Sequence, residues 1–132
     1  MIYKPKRRNE PEFQSQCALF TWARNPAVQS KYPALDLLSC SLNGVKLTAS
    51  QAGKAKASGM LKGEYDIKLP VPRGGYTGLI IEMKAGKNKL TPEQIWYGKR
   101  MSDEGWKTAT CWDWEIARDI IIEHLKQEKP RL

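Results

Sequence analysis

Histidine is almost missing from this chain of 132 residues; only His124 occurs. It falls in an apolar-periodic stretch near the C-terminus and reads as a helix-face residue, which takes Ser-His-Asp and Cys-His chemistry out of consideration. Cysteine is scarce too. Cys17, Cys40 and Cys111 are too few and too scattered for a disulfide framework, and they lack CxxC ligand spacing. Such usage suits a reducing cytoplasm. No window approaches the roughly 18 to 20 consecutive apolar residues of a membrane span. The basic N-terminus is not followed by an apolar core segment, so no secretory signal is expected. Acidic residues are in deficit: 14 against 22 Lys plus Arg, a formal net charge of +8. A small domain that basic suits a polyanionic partner, most often nucleic acid, with a merely solvated basic surface as the alternative. An enzyme built from this inventory must work with carboxylates and lysines, with or without a metal.

Hydrophobic residues at 41% and charged residues at 27% mark a globular chain, long enough for one core. Residues 1–10 carry Lys4, Lys6, Arg7 and Arg8 and read as a flexible basic arm; 11–128 read as a single domain. Pro11 and Glu12 suit the first turn of a helix over about 11–24. On it Glu12, Gln16, Leu19 and Ala23 share one face; Phe13, Cys17, Phe20 and Arg24 share the next. Asn25-Pro26 and Tyr32-Pro33 interrupt the chain. Leu35–Leu42 reads as a strand ending at Asn43-Gly44. Thr48 caps a short Ala-rich helix that stops at Gly59 and lies outside the core. Glu64–Pro70 and Thr77–Lys84 read as strands joined by the turn-rich segment 71–76. Thr91-Pro92-Glu93 opens a helix ending at Gly105. Trp106–Trp112 reads as a strand. Asp113 caps a last helix with Ile116, Ala117, Ile120, Ile121, His124 and Leu125 on one face. The order predicts one mixed α/β domain.

The chemistry concentrates in residues 64–84. Strand alternation puts Glu82 and Lys84 on one face with Ile80, and Asp66 on a face with Lys68, opposite Tyr65, Ile67 and Leu69. Asp66 lies eight residues before Gly74 and Glu82 eight after it. A hairpin centred on Gly74 therefore sets the two carboxylates opposite each other, unless a bulge shifts the register. Two carboxylates supply hard oxygen ligands for Mg²⁺ or Mn²⁺, and a neighbouring lysine can orient a water or stabilise growing negative charge. The ordinary alternative is a cross-strand acid–lysine pair on a solvated sheet face.

These residues, with Gly63-Glu64-Tyr65-Asp66, Leu90-Thr91-Pro92-Glu93-Gln94, Gly105-Trp106 and the leading helix of Glu12 and Gln16, resemble the VRR-NUC (virus-type replication-repair nuclease) domain of the PD-(D/E)xK nucleases. The resemblance runs from about Glu12 to the last helix. It implies a restriction-endonuclease-like core, a mixed central sheet whose catalytic hairpin is flanked by helices. It casts Asp66, Glu82 and the Met83 carbonyl as ligands for Mg²⁺ or Mn²⁺, with Glu12 approaching the same site. Lys84 becomes the catalytic lysine and Gln94 its supporting glutamine. Gln16 shares Glu12's face. The pair Glu64-Tyr65 departs from the small or apolar residues usual before the Asp.

Stand-alone members of this size resemble those carried by bacteriophages, acting in the host cytoplasm. They imply structure-selective cleavage of branched double-stranded DNA, with four-way (Holliday) junctions as leading substrate and a homodimer matching the junction's two-fold symmetry. Lys4, Lys6, Arg7, Arg8, Lys54, Lys56, Lys62, Arg73, Lys87 and Lys89 are the expected phosphate contacts. Flap cleavage, site-specific duplex cleavage and a non-catalytic DNA-binding module of the same fold are the alternatives. The tryptophans are expected mostly in the core; Trp96 is a candidate for stacking on an unpaired base, and Trp112, Trp114 and Ile122 are candidates for a dimer interface, with core packing as the alternative.

Overall fold

In the computed structural model, which describes residues 10–41 and 47–132, four strands form one mixed sheet in the order β1-β2-β3-β4. The elements run α1 (Glu10–Ala23), α2 (Pro26–Lys31), a 3₁₀ turn (Pro33–Leu37), β1 (Ser39–Cys40), α3 (Ala49–Ala57), β2 (Ile67–Leu69), β3 (Leu79–Met83), α4 (Pro92–Asp103), β4 (Lys107–Cys111) and α5 (Trp114–Lys126). β2 pairs antiparallel with β1 and β3. β4 pairs parallel with β3, as a helical crossover through α4 permits. The α/β expectation holds, with α2 and the 3₁₀ turn additional to the expected order.

Three local expectations need correction. Leu35–Leu42 is not one strand. Pro33 fixes a 3₁₀ turn through Leu37, and only Ser39 and Cys40 pair with β2. Asn43-Gly44 lies outside the described residues. Tyr65 does not share the face of Ile67. Residues 64–66 precede the ladder and bend, so alternation starts only at Ile67; Tyr65 joins Ile80 and Tyr97 on the other face. On α5, Ala117, Ile121 and His124 are buried but Ile116 is exposed.

The main core lies on one face of the sheet. Leu19 and Ala23 of α1 meet Ile67, Ile81 and Met83 of the hairpin and Ile121 of α5. Thus α1 packs through the stripe 12, 16, 19, 23, and the carboxylate of Glu12 rides at the end of a core-facing row. Phe13 and Cys17, on the adjacent stripe, are exposed. His124 is a core residue: its Nε2 lies 2.7 Å from the Val71 carbonyl, and burial lowers its proton affinity. α4 covers the other face through Tyr97, whose ring lies 5.7 Å from that of Tyr65. α3 buries none of its residues, as its composition predicts. β3 is buried on both faces along its whole length. A polar side chain there cannot be solvated by default, and Glu82 sits at that strand's end.

Candidate active site

The hairpin register is the one that a turn centred on Gly74 predicts. Ile67 faces Ile81, Lys68 faces Ile80 and Leu69 faces Leu79, so the next step toward the open end sets Asp66 against Glu82. The two residues are cross-bonded. The Asp66 amide donates to Glu82 Oε1 at 3.1 Å, and the Met83 amide donates to Asp66 Oδ2 at 2.9 Å. Each carboxylate thereby fills the backbone valence left where the ladder ends.

Gln94 fixes the other oxygen of Glu82. Thr91 caps α4 in a reciprocal box: its hydroxyl accepts from the Gln94 amide at 3.2 Å, and its own amide donates to Gln94 Oε1 at 2.9 Å. With Oε1 so engaged, the side-chain Nε2 must turn away from the cap, and it donates to Glu82 Oε2 at 3.0 Å. Lys84 Nζ approaches the same oxygen at 3.7 Å. Helix start and carboxylate-bearing hairpin are therefore one construction. Gly63 lets the preceding loop lie against it. Its φ is +94°, and a Cβ there would stand 2.4 Å from the Glu93 carbonyl.

Glu82 is 3% exposed and Lys84 8%, which excludes the solvated cross-strand pair. Burial, followed by the charge of Asp66, pushes the Glu82 carboxyl up to about 8, with Lys84 opposing. Burial also raises Asp66, against the Met83 hydrogen bond, and the negative charge of Glu12 adds to the rise. Tyr65, Ile80 and Tyr97 cluster on the sheet face to which Glu82 belongs by alternation. Tyr65 hydrogen-bonds Thr110; burial and then the charge of Glu82 hold its phenol above the ordinary range.

Glu12 is near enough to bias Asp66, but its Oε1 accepts from Asn88 Nδ2 at 3.2 Å. Asn88 sits in the loop after β3, and its carbonyl accepts from Trp112 Nε1 at 2.9 Å. Sequence reasoning missed Asn88 and Trp112. No signal in the spacing ties loop 85–90 to α1, because the contact is made 76 residues away. Among the described residues, no three His, Cys, Asp or Glu side chains close into one metal-ligand cluster. The hairpin offers two carboxylates, which match a cation that keeps several of its own waters. Glu64 pairs with Lys68 at 3.9 Å. Gln16 is half-buried on α1.

The expected phosphate contacts divide. Lys4, Lys6, Arg7 and Arg8 lie outside the described residues. Lys87 and Lys89 are exposed beside the site, on the loop that holds Glu12. Lys54 and Lys56 are exposed on α3. Lys62 is paired with Glu93 at 3.4 Å. Arg73 lies in the hairpin turn, at the other end of the sheet from Asp66 and Glu82. The tryptophans divide as well: Trp22, Trp106 and Trp114 pack against the cores, whereas Trp96 and Trp112 are half-exposed.

No family model matches the chain, and no curated protein matches it in sequence. A solved structure named as a VRR_NUC domain protein superposes with a TM-score of 0.74 at 23% sequence identity. The match covers 90% of this chain and 91% of that one, so the two share a fold over nearly their whole length.

Proposed function

We propose that the chain is a structure-selective DNA endonuclease dependent on Mg²⁺ or Mn²⁺, acting on branched DNA with four-way junctions as its leading substrate. One observation carries the nuclease reading. A half-buried Asp66 cross-bonded to a buried Glu82, with Lys84 and Gln94 on the Glu82 carboxylate, stands on the fold of a VRR_NUC domain protein. Two desolvated carboxylates side by side are costly unless a proton or a cation shares them.

The residues fit a divalent cation by donor chemistry. Asp66 and Glu82 supply hard oxygens, the Met83 carbonyl is adjacent in sequence, and Glu12 adds charge from α1. The bound cation would polarise the scissile phosphate and lower the pKa of a bound water. Gln94 holds the Glu82 carboxylate in one orientation. Lys84 carries a buried cation toward the same carboxylate and is suited to orient the attacking water or to offset charge growing on phosphorus. Lys87 and Lys89 stand where they can hold the flanking phosphates.

Junction preference and a homodimer rest on the resemblance and on symmetry. A two-fold junction presents two equivalent strands, and paired sites cut both within one binding event. Half-exposed Trp112 and exposed Ile116 offer apolar surface beside the site; Trp114 and Ile122 are more covered. No helix among the described residues is long and apolar enough to cross a membrane. The test is incubation of the purified protein with matched duplex, flap and junction DNAs, with and without Mg²⁺ or Mn²⁺, alongside light scattering. Paired metal-dependent incisions across the junction and a mass near twice 15.0 kDa are expected. Binding with no cleavage under either metal would leave a non-catalytic DNA-binding module.

A further inference from the structure

The hairpin turn and the C-terminal tail build a second positively charged feature, away from the carboxylates. The tail is docked, since the Gly74 amide donates to the Glu128 carbonyl at 2.9 Å. Gly74, at φ +58°, leaves the space that Gln127 fills; a Cβ there would stand 1.7 Å from Gln127 Oε1. Between turn and tail lies a cleft of about 610 Å³, bordered by Arg73, Tyr76, Lys129 and Arg131, with Glu128 as its acid. Arg73 and Lys129 also border a neighbouring cleft of about 490 Å³, together with Lys31 and Asp36. Lys107 adds a further cation, 5.8 Å above the Tyr76 ring.

Arg73 joins the two clefts. One terminal nitrogen donates to the Pro72 carbonyl at 2.8 Å. Its Nε is buried and has no hydrogen-bond partner among the described residues. Phosphate oxygens match the guanidinium fork, and lysines at the rim add point charge.

We propose that this turn–tail cleft binds backbone phosphates of a second DNA segment, one that does not pass through the carboxylate site. The geometry decides between one segment and two. Glu82 and the turn are at opposite ends of β3, which is buried on both faces by helices. About 10 Å of strand separates Leu79 from Glu82, and the turn lies beyond Leu79. A duplex is stiff over about 150 base pairs, so one crossing the carboxylate end at right angles to β3 does not bend back to the turn. A branched substrate supplies the second arm. The inference therefore rests on the branched-DNA reading and says which protein surface makes that reading possible. Free phosphate or a mononucleotide has the same chemistry and is the competing source.

The test compares the full-length protein with its K129A/R131A variant, in EDTA to prevent cleavage. Binding is measured to a linear duplex and to a four-way junction of equal total length, over a range of salt. Both side chains lie on the exposed tail, so folding is not at stake. Junction affinity should fall about fivefold to tenfold, and the slope of log affinity against log salt by about 2, with linear affinity changed less than about twofold. E128Q, which removes the acid of the cleft, should tighten junction binding. Junction affinity equal in wild type and K129A/R131A overturns the proposal. So does an equal loss on both DNAs, which makes the tail a general contact. Inorganic phosphate is titrated in parallel. Tight phosphate binding with unchanged junction affinity assigns the cleft to free phosphate instead. A wild type that binds linear and branched DNA alike removes the branched-DNA reading itself, a separable result.

Discussion

Asp66 and Glu82 are bonded to each other through the backbone. The amide of Asp66 donates to the Glu82 carboxylate, and the amide after Glu82 donates to the Asp66 carboxylate. Neither side chain has its orientation set by solvent. Replacing either by its amide keeps the shape and inserts donors where acceptors are needed. D66N and E82Q should each lower cleavage by at least about 10²-fold. DNA affinity should hold or rise, because a carboxylate close to phosphate is removed. Near wild-type cutting by E82Q with Mg²⁺ would remove Glu82 from the site.

The same pair makes stability fall with pH. Glu82 holds its proton up to about 8 in the fold, against an ordinary value of 4.5. Between those values the folded chain binds the extra proton, so unfolding free energy declines as pH rises, by about 1.4 kcal/mol per unit at most for one group. The effect is present at low pH and gone above the folded value. His124, held low in the fold, acts in the opposite sense and is common to wild type and E82Q. From about pH 7 to 9 metal-free wild type should lose thermal stability with rising pH, and E82Q should lose less. Mg²⁺ or Mn²⁺ should offset the loss in wild type. Parallel melting profiles for the two proteins, without metal, would contradict this.

Gln94 serves α4 and Glu82 together, and two substitutions separate those duties. T91A removes the hydroxyl of the cap and should cost about 1 kcal/mol of stability. Its amide still donates to Gln94 Oε1, so Glu82 keeps its partner. Q94A removes both, so its loss of cleavage should exceed that of T91A at matched fractions folded. Equal cleavage rates in the two variants would make Gln94 a capping residue alone.

Gly63 allows the loop to approach α4. G63A meets a left-handed backbone and the Glu93 carbonyl at once. A loss of about 1 to 3 kcal/mol is expected in chemical denaturation, with weaker metal binding because Asp66 follows on the same loop. Unchanged stability would mean that the loop relaxes freely.

The hairpin was legible because its signals are local. The symmetry of Asp66 and Glu82 about Gly74 set the register, and Thr91-Pro92-Glu93 announced a capped helix. Glu82's burial was not legible. Residues 79–83 alternate formally, yet both faces are covered by helices distant in sequence. Tyr65 was misplaced because period-two counting began before the ladder did. Arg73 looked like any surface cation, since nothing local says that the turn lies at the opposite end from the carboxylates. Loop 85–90 gave no sign of its partner on α1.

That loop carries the last prediction. Asn88 holds Glu12 at 3.2 Å, and Trp112 holds the Asn88 carbonyl at 2.9 Å. Glu12 comes from the first turn of α1, where the helix has no earlier turn to brace it. Without Asn88 its carboxylate has more rotamers to sample, and its bias on Asp66 weakens. Each exposed hydrogen bond is worth only about 0.5 to 1.5 kcal/mol, so the fold should survive. N88A should raise the Mg²⁺ concentration for half-maximal cleavage by about threefold to tenfold, equivalent to about 0.7 to 1.4 kcal/mol, with little change at saturating metal. E12A should do the same or more. Because both substitutions act through one contact, the double variant should show less than the sum of the two effects. W112F keeps the ring and removes the donor, and should give a smaller shift in the same direction. Strict additivity of N88A and E12A would show that Asn88 acts elsewhere. N88A protein slowed at saturating metal, with unchanged metal dependence, would place the loop's contribution in substrate handling rather than in the proposed cation site.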